Sequence, residues 1–349
     1  MFDIHNRKIE YIRISVTDRC NLRCVYCMPD EGVEFIEHEE ILSFDEILRL
    51  INISTDLGIT KVKITGGEPL VRKGVVDLIK EIKKIEKIQE VTLTTNGILL
   101  GKYIDELKEN IDGINISLDA LDPEQFKKIT RRDELNKVIE SINLSVDRGI
   151  KTKINTLVLP NINENQIINI VELARNKPIH VRFIEVMPIG YGKEMVRYTP
   201  EMIRETIEKK FGKLLKANDK LGNGPAKYYS ICGFKGKIGF ISAVSDCFCS
   251  DCNRIRLTST GFLKACLQYN YGIELKPLLR EGYSDDEILQ SMSTIVYTKP
   301  KEHQFNDTIK ITKNKFSTLD CGINPKLRNK IDKLIHDDVE NDSMSKIGG

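Results

Sequence analysis

The stretch Tyr11-Ile-Arg-Ile-Ser-Val-Thr-Asp-Arg-Cys20-Asn-Leu-Arg-Cys24-Val-Tyr-Cys27-Met-Pro29 decides how the rest of this chain is read. Residues 11–16 alternate as a strand does: Tyr11, Arg13 and Ser15 fall on one face, and Ile12, Ile14 and Val16 on the other. The thiols that follow stand at C-x3-C-x2-C spacing. Positions i, i+4 and i+7 share one face of a helix, so a buried cysteine stripe is the plain alternative. Asp18, Arg19, Asn21 and Arg23 among the thiols, and Pro29 just after them, favour instead a polar loop wrapped around a metal.

Working outward, further strands are predicted at 61–65, 91–95, 113–118, 152–157 and 180–186. Amphipathic stretches such as 44–57, 74–85 and 134–148 lie between them; in the first, Ile47, Leu48, Ile51 and Leu57 return at helical spacing. This alternation predicts an α/β fold with a parallel sheet and helices outside it. The sheet is either doubly wound or, as we expect, a partial (β/α)6 parallel barrel. The residues after each strand are polar or glycine-rich, where such folds place their sites. They include Gly66-Gly67-Glu68-Pro69, Asn96-Gly97, Asp119 and Met187-Pro188, while Lys153 and Asn155 lie within the fifth strand.

Beyond residue 225 the rhythm changes. Residues 228–245 read as a hairpin interrupted by Gly233, Gly236 and Gly239, and 254–267 as another around Thr260-Gly261. We expect a core domain over 1–225, a small C-terminal β-rich domain over 226–305, and a tail over 306–349 ending in Gly348-Gly349. The tail holds one short helix near 324–336. The β-rich part carries a second thiol triplet, Cys249, Cys252 and Cys266, at C-x2-C-x13-C spacing. A structural zinc site takes four protein ligands, whereas thiolates also suit iron–sulfur clusters. A cubane held by three thiolates leaves one iron open to a ligand.

Composition narrows the class. The 349 residues are 40% hydrophobic and 30% charged, and 53 basic against 51 acidic residues leave a net charge of only +2. Nucleic-acid binders usually carry a basic footprint, so none is expected as a partner. The first ten residues hold no apolar signal segment, and no apolar run approaches the roughly 18 residues of a membrane span. A cytoplasmic location follows as an expectation. Nine cysteines in such a chain are better read as metal or catalytic ligands than as disulfides. Cys232, Cys247 and Cys321 stand outside both triplets and read as small buried or incidental thiols.

Cys20-Asn-Leu-Arg-Cys24-Val-Tyr-Cys27 resembles the signature of radical S-adenosylmethionine enzymes, and Gly66-Gly67-Glu68-Pro69 resembles their glycine-rich motif. The opening 11–20, the run Phe248-Cys249-Ser-Asp-Cys252-Asn-Arg-Ile-Arg-Leu257 with Cys266-Leu267, and the terminal Ile347-Gly348-Gly349 are similar to the GTP 3′,8-cyclase family of molybdenum-cofactor biosynthesis. The resemblance implies two 4Fe-4S clusters, the first on Cys20, Cys24 and Cys27 and the second on Cys249, Cys252 and Cys266. It implies that reductive cleavage of S-adenosyl-L-methionine at the first gives a 5′-deoxyadenosyl radical, which removes the 3′ hydrogen of GTP. The ribose C3′ then attacks guanine C8, while the second cluster meets the guanine.

The same resemblance implies S-adenosylmethionine contacts at Tyr26, Gly67, Ser117 and Met187, and GTP contacts at Arg13, Lys63, Thr94, Lys153, Arg254 and Arg256. Gly348 and Gly349 are implied to reach the active site. Relatives often carry Arg where Lys63 stands, which keeps the charge and loses the planar fork. Partners implied are a flavodoxin or ferredoxin as electron donor, a cyclic pyranopterin monophosphate synthase that takes the product, and a second copy of the chain. Residue chemistry supports the anion site independently: Arg254 and Arg256 are two apart on a predicted strand, side by side for phosphate. No G-x4-G-K-[ST] phosphate loop is present in the chain. Taken singly, the two arginines could be a solvated strand face, Thr94 a β-former, Ser117 a strand residue, Met187 core filler and Lys153 a solvated charge. A radical peptide-modifying maturase and a non-catalytic zinc module are the competing readings.

Overall fold

A computed structural model describes residues 1–34, 36–218, 221–305, 325–336 and 344–347. Its strands, in chain order, are β1 (Tyr11–Ser15), β2 (Lys61–Thr65), β3 (Glu90–Thr95), β4 (Gly113–Ser117), β5 (Thr152–Leu157), β6 (His180–Ile184) and β7 (Leu215–Lys216). They continue as β8 (Lys227–Ser230), β9 (Ile238–Ile241), β10 (Arg254–Leu257), β11 (Phe262–Lys264), β12 (Gly272–Glu274) and β13 (Ile335–His336). The chain forms two compact units: Met1–Arg19, Glu34–Val91 and Cys249–Gly349 in one, Cys20–Val33 and Thr92–Phe248 in the other.

In the first unit the strand order is β13-β12-β11-β10-β1-β2. Strand β1 runs parallel to both neighbours, with Arg13 opposite Arg256 on one side and opposite Lys63 on the other. Beyond β10 the sheet turns antiparallel, and Arg256 faces Lys264. Because side chains alternate along each strand, the isoleucines and leucines of these strands fall on the other face. Ile12, Ile14, Ile64, Ile255 and Leu263 there are fully buried. Helix α1 (Phe44–Asp56) connects β1 to β2 and packs against a helix at Asp285–Tyr297. It starts on a capping box, in which Ser43 Oγ accepts the Glu46 amide at 3.1 Å and Glu46 accepts the Ser43 amide at 2.7 Å.

In the second unit the order is β3-β4-β5-β6-β9-β8-β7. Strands β3 to β6 are parallel, and β9 continues the parallel run beside β6, with β8 antiparallel on the far side of β9. The hairpin expected at 228–245 is therefore present, and its second strand completes the parallel sheet of this unit. Thr94, Asn115, Lys153 and His180 stand in one cross-strand row, with Asn155 opposite Ser117 and Arg182 opposite Asn155 in the next. The opposite face is the core, built from Leu93, Ile114, Ile116, Ile154, Val181 and Phe183.

Observed strands match the sequence expectation to within a residue or two at each end; 61–65 and 152–157 match throughout. Helices cover Val75–Lys83 and Leu135–Asp147 within the stretches expected. The helix expected at 324–336 ends at Leu334, since Ile335 and His336 pair with β12 instead. Both units thus use the strand pleat the same way: one face is hydrocarbon and the other carries most of the polar groups. Replacing Ile14, fully buried on the hydrocarbon face, by Ala should cost about 2–5 kcal/mol. Guanidinium unfolding of the metal-free protein is the measurement.

Candidate active site

The thiols Cys20, Cys24 and Cys27 occupy a loop of turns with no helix, so the cysteine-stripe alternative falls. Two arginines shape this loop. Arg23 donates to the carbonyls of Cys20 (2.7 Å) and Leu22 (2.8 Å). Arg131, in the left-handed region at φ 57°, donates to the carbonyls of Arg23 and Met28, both at 3.1 Å. Backbone bonds from Arg23 to Thr130 and from Val25 to Ile129 tie the loop to the end of the helix Pro123–Thr130. Donors also face sulfur: the Leu22 amide lies 3.4 Å from Cys20 Sγ and Asn96 Nδ2 lies 3.8 Å from it. None of the described cysteines is in a disulfide.

Burial pushes the Cys24 thiol well up, and the neighbouring charges of Cys27, Asp119 and Cys20 push it further. Three half-buried thiols that repel one another as thiolates are stabilised together by a bound cation. This donor set fits a three-thiolate cluster. Beside it, Tyr26 donates its hydroxyl to Asp119 Oδ2 at 2.7 Å, while Asp119 Oδ1 accepts the Leu157 amide at 2.8 Å. Asp119, at the end of β4, is 5% exposed. The expectation noted Asp119 only as a polar residue after a strand, and its tie to the loop tyrosine needs the fold to be seen.

In the other unit, Gly66 and Gly67 follow β2 and lie against the carbonyls of residues 17–19. The Gly67 amide bonds Thr17 O at 2.7 Å and the Glu68 amide bonds Arg19 O at 2.8 Å. A Cβ on Gly67 would stand 2.5 Å from Arg19 O and 2.6 Å from Asp18 O, so only glycine fits there. Glu68 is fully buried and caps the next turn through Leu70. Asp18 Oδ2 accepts the Ile36 amide at 3.2 Å.

The same unit brings Arg13, Lys63, Arg256 and Lys264 into one row across four strands, with Arg254 two residues along from Arg256 on the same face. Arg256 is 5% exposed and Lys264 fully buried, so the solvated-face alternative fails for Arg256. Burial holds the Arg256 guanidinium well below its usual range, and Arg13 and Arg254 lower it further by repulsion. Such a face is stabilised by a polyanion. Lys264 escaped the sequence reading because nothing in its local pattern marks it; only the β10–β11 register aligns it.

Cys249, Cys252 and Cys266 lie near this cationic region. Burial would raise the Cys252 thiol, but Lys299, Arg254, the Arg254 backbone and Arg7 outweigh it and bring it down to about 6. The His303 amide donates to Cys249 Sγ at 3.4 Å. A thiol already inclined to ionise, among buried cations and with a donor on a neighbouring sulfur, fits a second thiolate-held cluster. Cys232 and Cys247 are exposed rather than buried. Cys321, Gly348 and Gly349 lie outside the described residues.

In the second unit Thr94 and Lys153 share a row and face with Asn115, and Ser117 ends β4 on that face. Asn115 Nδ2 donates to Thr94 Oγ1 at 3.3 Å and its Oδ1 accepts Arg182 Nη2 at 2.7 Å. Lys153 Nζ lies close to Gly222, where a Cβ would stand 2.6 Å from it. Met187 follows β6, and its carbonyl accepts the Ile189 amide at 2.8 Å. Asn115 and Arg182 were missed, since a lone Asn and a lone Arg inside apolar strands read as ordinary.

Asp119 carries a pH signature. Burial raises its carboxyl from 3.8 to about 6, against the Tyr26 and Leu157 hydrogen bonds. The folded state then holds this proton more tightly than the unfolded chain. Its stabilising effect is therefore complete below the unfolded value and lost as pH rises through about 6. In metal-free protein, Asp119→Asn should remove that slope. The stability advantage of the parent over the variant should shrink between about pH 4 and about pH 6 and level off above that, as read by denaturant midpoints.

Residues 14–174 match the Radical SAM superfamily, and residues 179–305 match Molybdenum Cofactor Synthesis C. A GTP 3′,8-cyclase of Clostridium perfringens strain SM101 is 51% identical over 87% of this chain and 95% of its own length. One from Syntrophomonas wolfei is 46% identical over 88% and 95%. The solved structure of Streptococcus suis SuiB bound to S-adenosylmethionine aligns with a TM-score of 0.53 over 75% of this chain and 60% of that one. At 16% identity that likeness shows the fold alone. No helix among the described residues is long and apolar enough to cross a membrane. With both thiol triplets, the glycine motif and these relatives in agreement, the chain belongs to the GTP 3′,8-cyclase family of radical S-adenosylmethionine proteins.

Proposed function

We propose that this protein converts GTP to 3′,8-cyclo-7,8-dihydro-GTP for molybdenum-cofactor biosynthesis, as a cytoplasmic lyase. The observation that carries this reading is the cross-strand row Lys63–Arg13–Arg256, with Arg254 on the same face. Like-charged side chains in one row, half-buried at Lys63, Arg13 and Arg254 and buried at Arg256, favour a ligand with several negative charges, and a triphosphate supplies them. Guanidiniums at Arg13, Arg254 and Arg256 can each engage phosphate oxygens through paired donors, with Lys63 as a point charge.

Cys20, Cys24 and Cys27 would hold one 4Fe-4S cluster and Cys249, Cys252 and Cys266 the other. When bound, the first supplies the electron that cleaves S-adenosylmethionine, and the second an open iron for guanine. Around the first, Tyr26 presents a ring whose hydroxyl is fixed by Asp119. Gly67, whose missing Cβ lets it pack against the Asp18 and Arg19 carbonyls, is taken from the family reading as a contact of the methionine amino group, and Ser117 and Met187 end strands where this cofactor is expected. Thr94 and Lys153 come from the family reading as further GTP contacts. That reading also supports a flavodoxin or ferredoxin as reductant, a downstream cyclic pyranopterin monophosphate synthase, and a homodimer. The arginine row is what a peptide-modifying maturase does not need.

Two sets of variants test this. Cys24→Ser should abolish formation of 5′-deoxyadenosine, while Cys252→Ser should lose cyclised product and keep some abortive cleavage. Parent-rate 5′-deoxyadenosine from Cys24→Ser would overturn the cluster assignment. Arg256→Ala should weaken GTP binding by about 1.5–3 kcal/mol and reduce its dependence on ionic strength. Anaerobic titration calorimetry measures both, and unchanged affinity would remove the row from the substrate site.

A further inference from the structure

The segment before β1 carries a buried ion pair that the proposed chemistry leaves unused. Asp3 is 4% and Arg7 7% exposed, and Arg7 Nε donates to Asp3 Oδ2 at 2.6 Å. The Arg7 amide and the His5 amide both donate to Asp3 Oδ1 at 2.9 Å, so the carboxylate is fixed before it orients the guanidinium. The remaining donors of Arg7 go to peptide carbonyls. Nη1 reaches Cys249 O at 2.9 Å and Lys301 O at 2.8 Å; Nη2 reaches Lys299 O at 3.2 Å and Pro300 O at 2.7 Å. A guanidinium has five N–H donors, and every one is used.

These carbonyls belong to two segments distant in sequence. One begins at Cys249, whose carbonyl also accepts the Cys252 amide at 3.2 Å. The other runs from Lys299 to His303. Its far end delivers the His303 amide to Cys249 Sγ at 3.4 Å, and a ring nitrogen of His303 lies within 4.8 Å of that sulfur. Lys299 in turn donates its ammonium to the carbonyl of Ala265, next to Cys266. A planar fork thus pins the backbone of one thiol ligand to the segment that carries a hydrogen-bond donor for the same sulfur.

We propose that Arg7 is a positioning residue of the second cluster. Oriented by Asp3, it holds the 299–303 segment against the Cys249 loop, keeps the His303 N–H on the Cys249 sulfur, and so sets the reduction potential of that cluster. N–H groups on a thiolate sulfur stabilise the reduced, more negative cluster and raise its potential. The inference rests on the reading that Cys249, Cys252 and Cys266 hold an iron–sulfur cluster.

The test uses the full-length chain, reconstituted anaerobically with iron and sulfide, and reads metal content and redox titration by electron paramagnetic resonance. Arg7→Lys keeps the charge but has three donors on one atom, which cannot span the same carbonyls. Asp3→Asn keeps the arginine and removes the charge that orients it. Each is combined with Cys24→Ser, so that the remaining signal belongs to the second cluster. Both variants should keep that cluster's iron and shift its potential to more negative values, Arg7→Lys by more than Asp3→Asn. Arg7→Ala should lose iron, falling from about eight towards about four per chain in the background with both triplets intact. A parental potential in both Arg7→Lys and Asp3→Asn would overturn the inference. A parent protein that never binds more than about four irons would overturn the two-cluster reading, and this inference with it.

Discussion

Parallel pairing of β1 with both of its neighbours is the constraint on which the first unit depends. It aligns Arg13 with Lys63 on one side and with Arg256 on the other, and the antiparallel turn of β10 adds Lys264. Register is set by the hydrocarbon face, because a slip of one residue would move Ile12 and Ile14 out of the core. The packing that buries isoleucine therefore also assembles the cations. Burial and the repulsion of Arg13 and Arg254 hold the Arg256 guanidinium below its usual range, a cost that the proposed triphosphate would offset.

The second unit applies the same pleat to a different problem. Its polar face carries Lys153 and Arg182, and Asn115 links Thr94 to Arg182 by hydrogen bonds. Its cysteine loop has no regular structure of its own. Its shape comes from arginines that donate to its carbonyls and from the end of the neighbouring helix. In each unit a thiol triplet is supported by guanidinium-to-carbonyl bonds. Arg23 and Arg131 serve the first triplet, and Arg7 serves the second. Arginine suits this role because it keeps its charge when buried and offers donors in fixed directions.

Much of the site was legible because its chemistry is local. Thiols at C-x3-C-x2-C spacing among polar residues read as a loop rather than a helix stripe, and they do lie in a loop; Gly66-Gly67 reads as a glycine-rich turn after a strand, and it follows β2 directly. Arg254 and Arg256 were legible by strand period alone. Lys264, Asn115 and Arg182 were not, since each matters only through a partner on another strand. Arg7 was illegible for a similar reason: in sequence it is one of several charged residues near the start of the chain. Its carbonyl partners lie more than two hundred positions away.

The sequence by itself determined the periodic elements, the two thiol triplets, the glycine turn and the family to which they belong. These are short-range patterns, and strand alternation, cysteine spacing and the absence of a Cβ act over a few residues. Tertiary structure decided which charges stand together. It put Lys264 at the end of the arginine row, gave Tyr26 its carboxylate partner, and turned the segment before β1 into a brace behind Cys249. Register and long-range hydrogen bonding carry that information, and neither leaves a local trace, because any buried cation reads like a surface one until its neighbours are known.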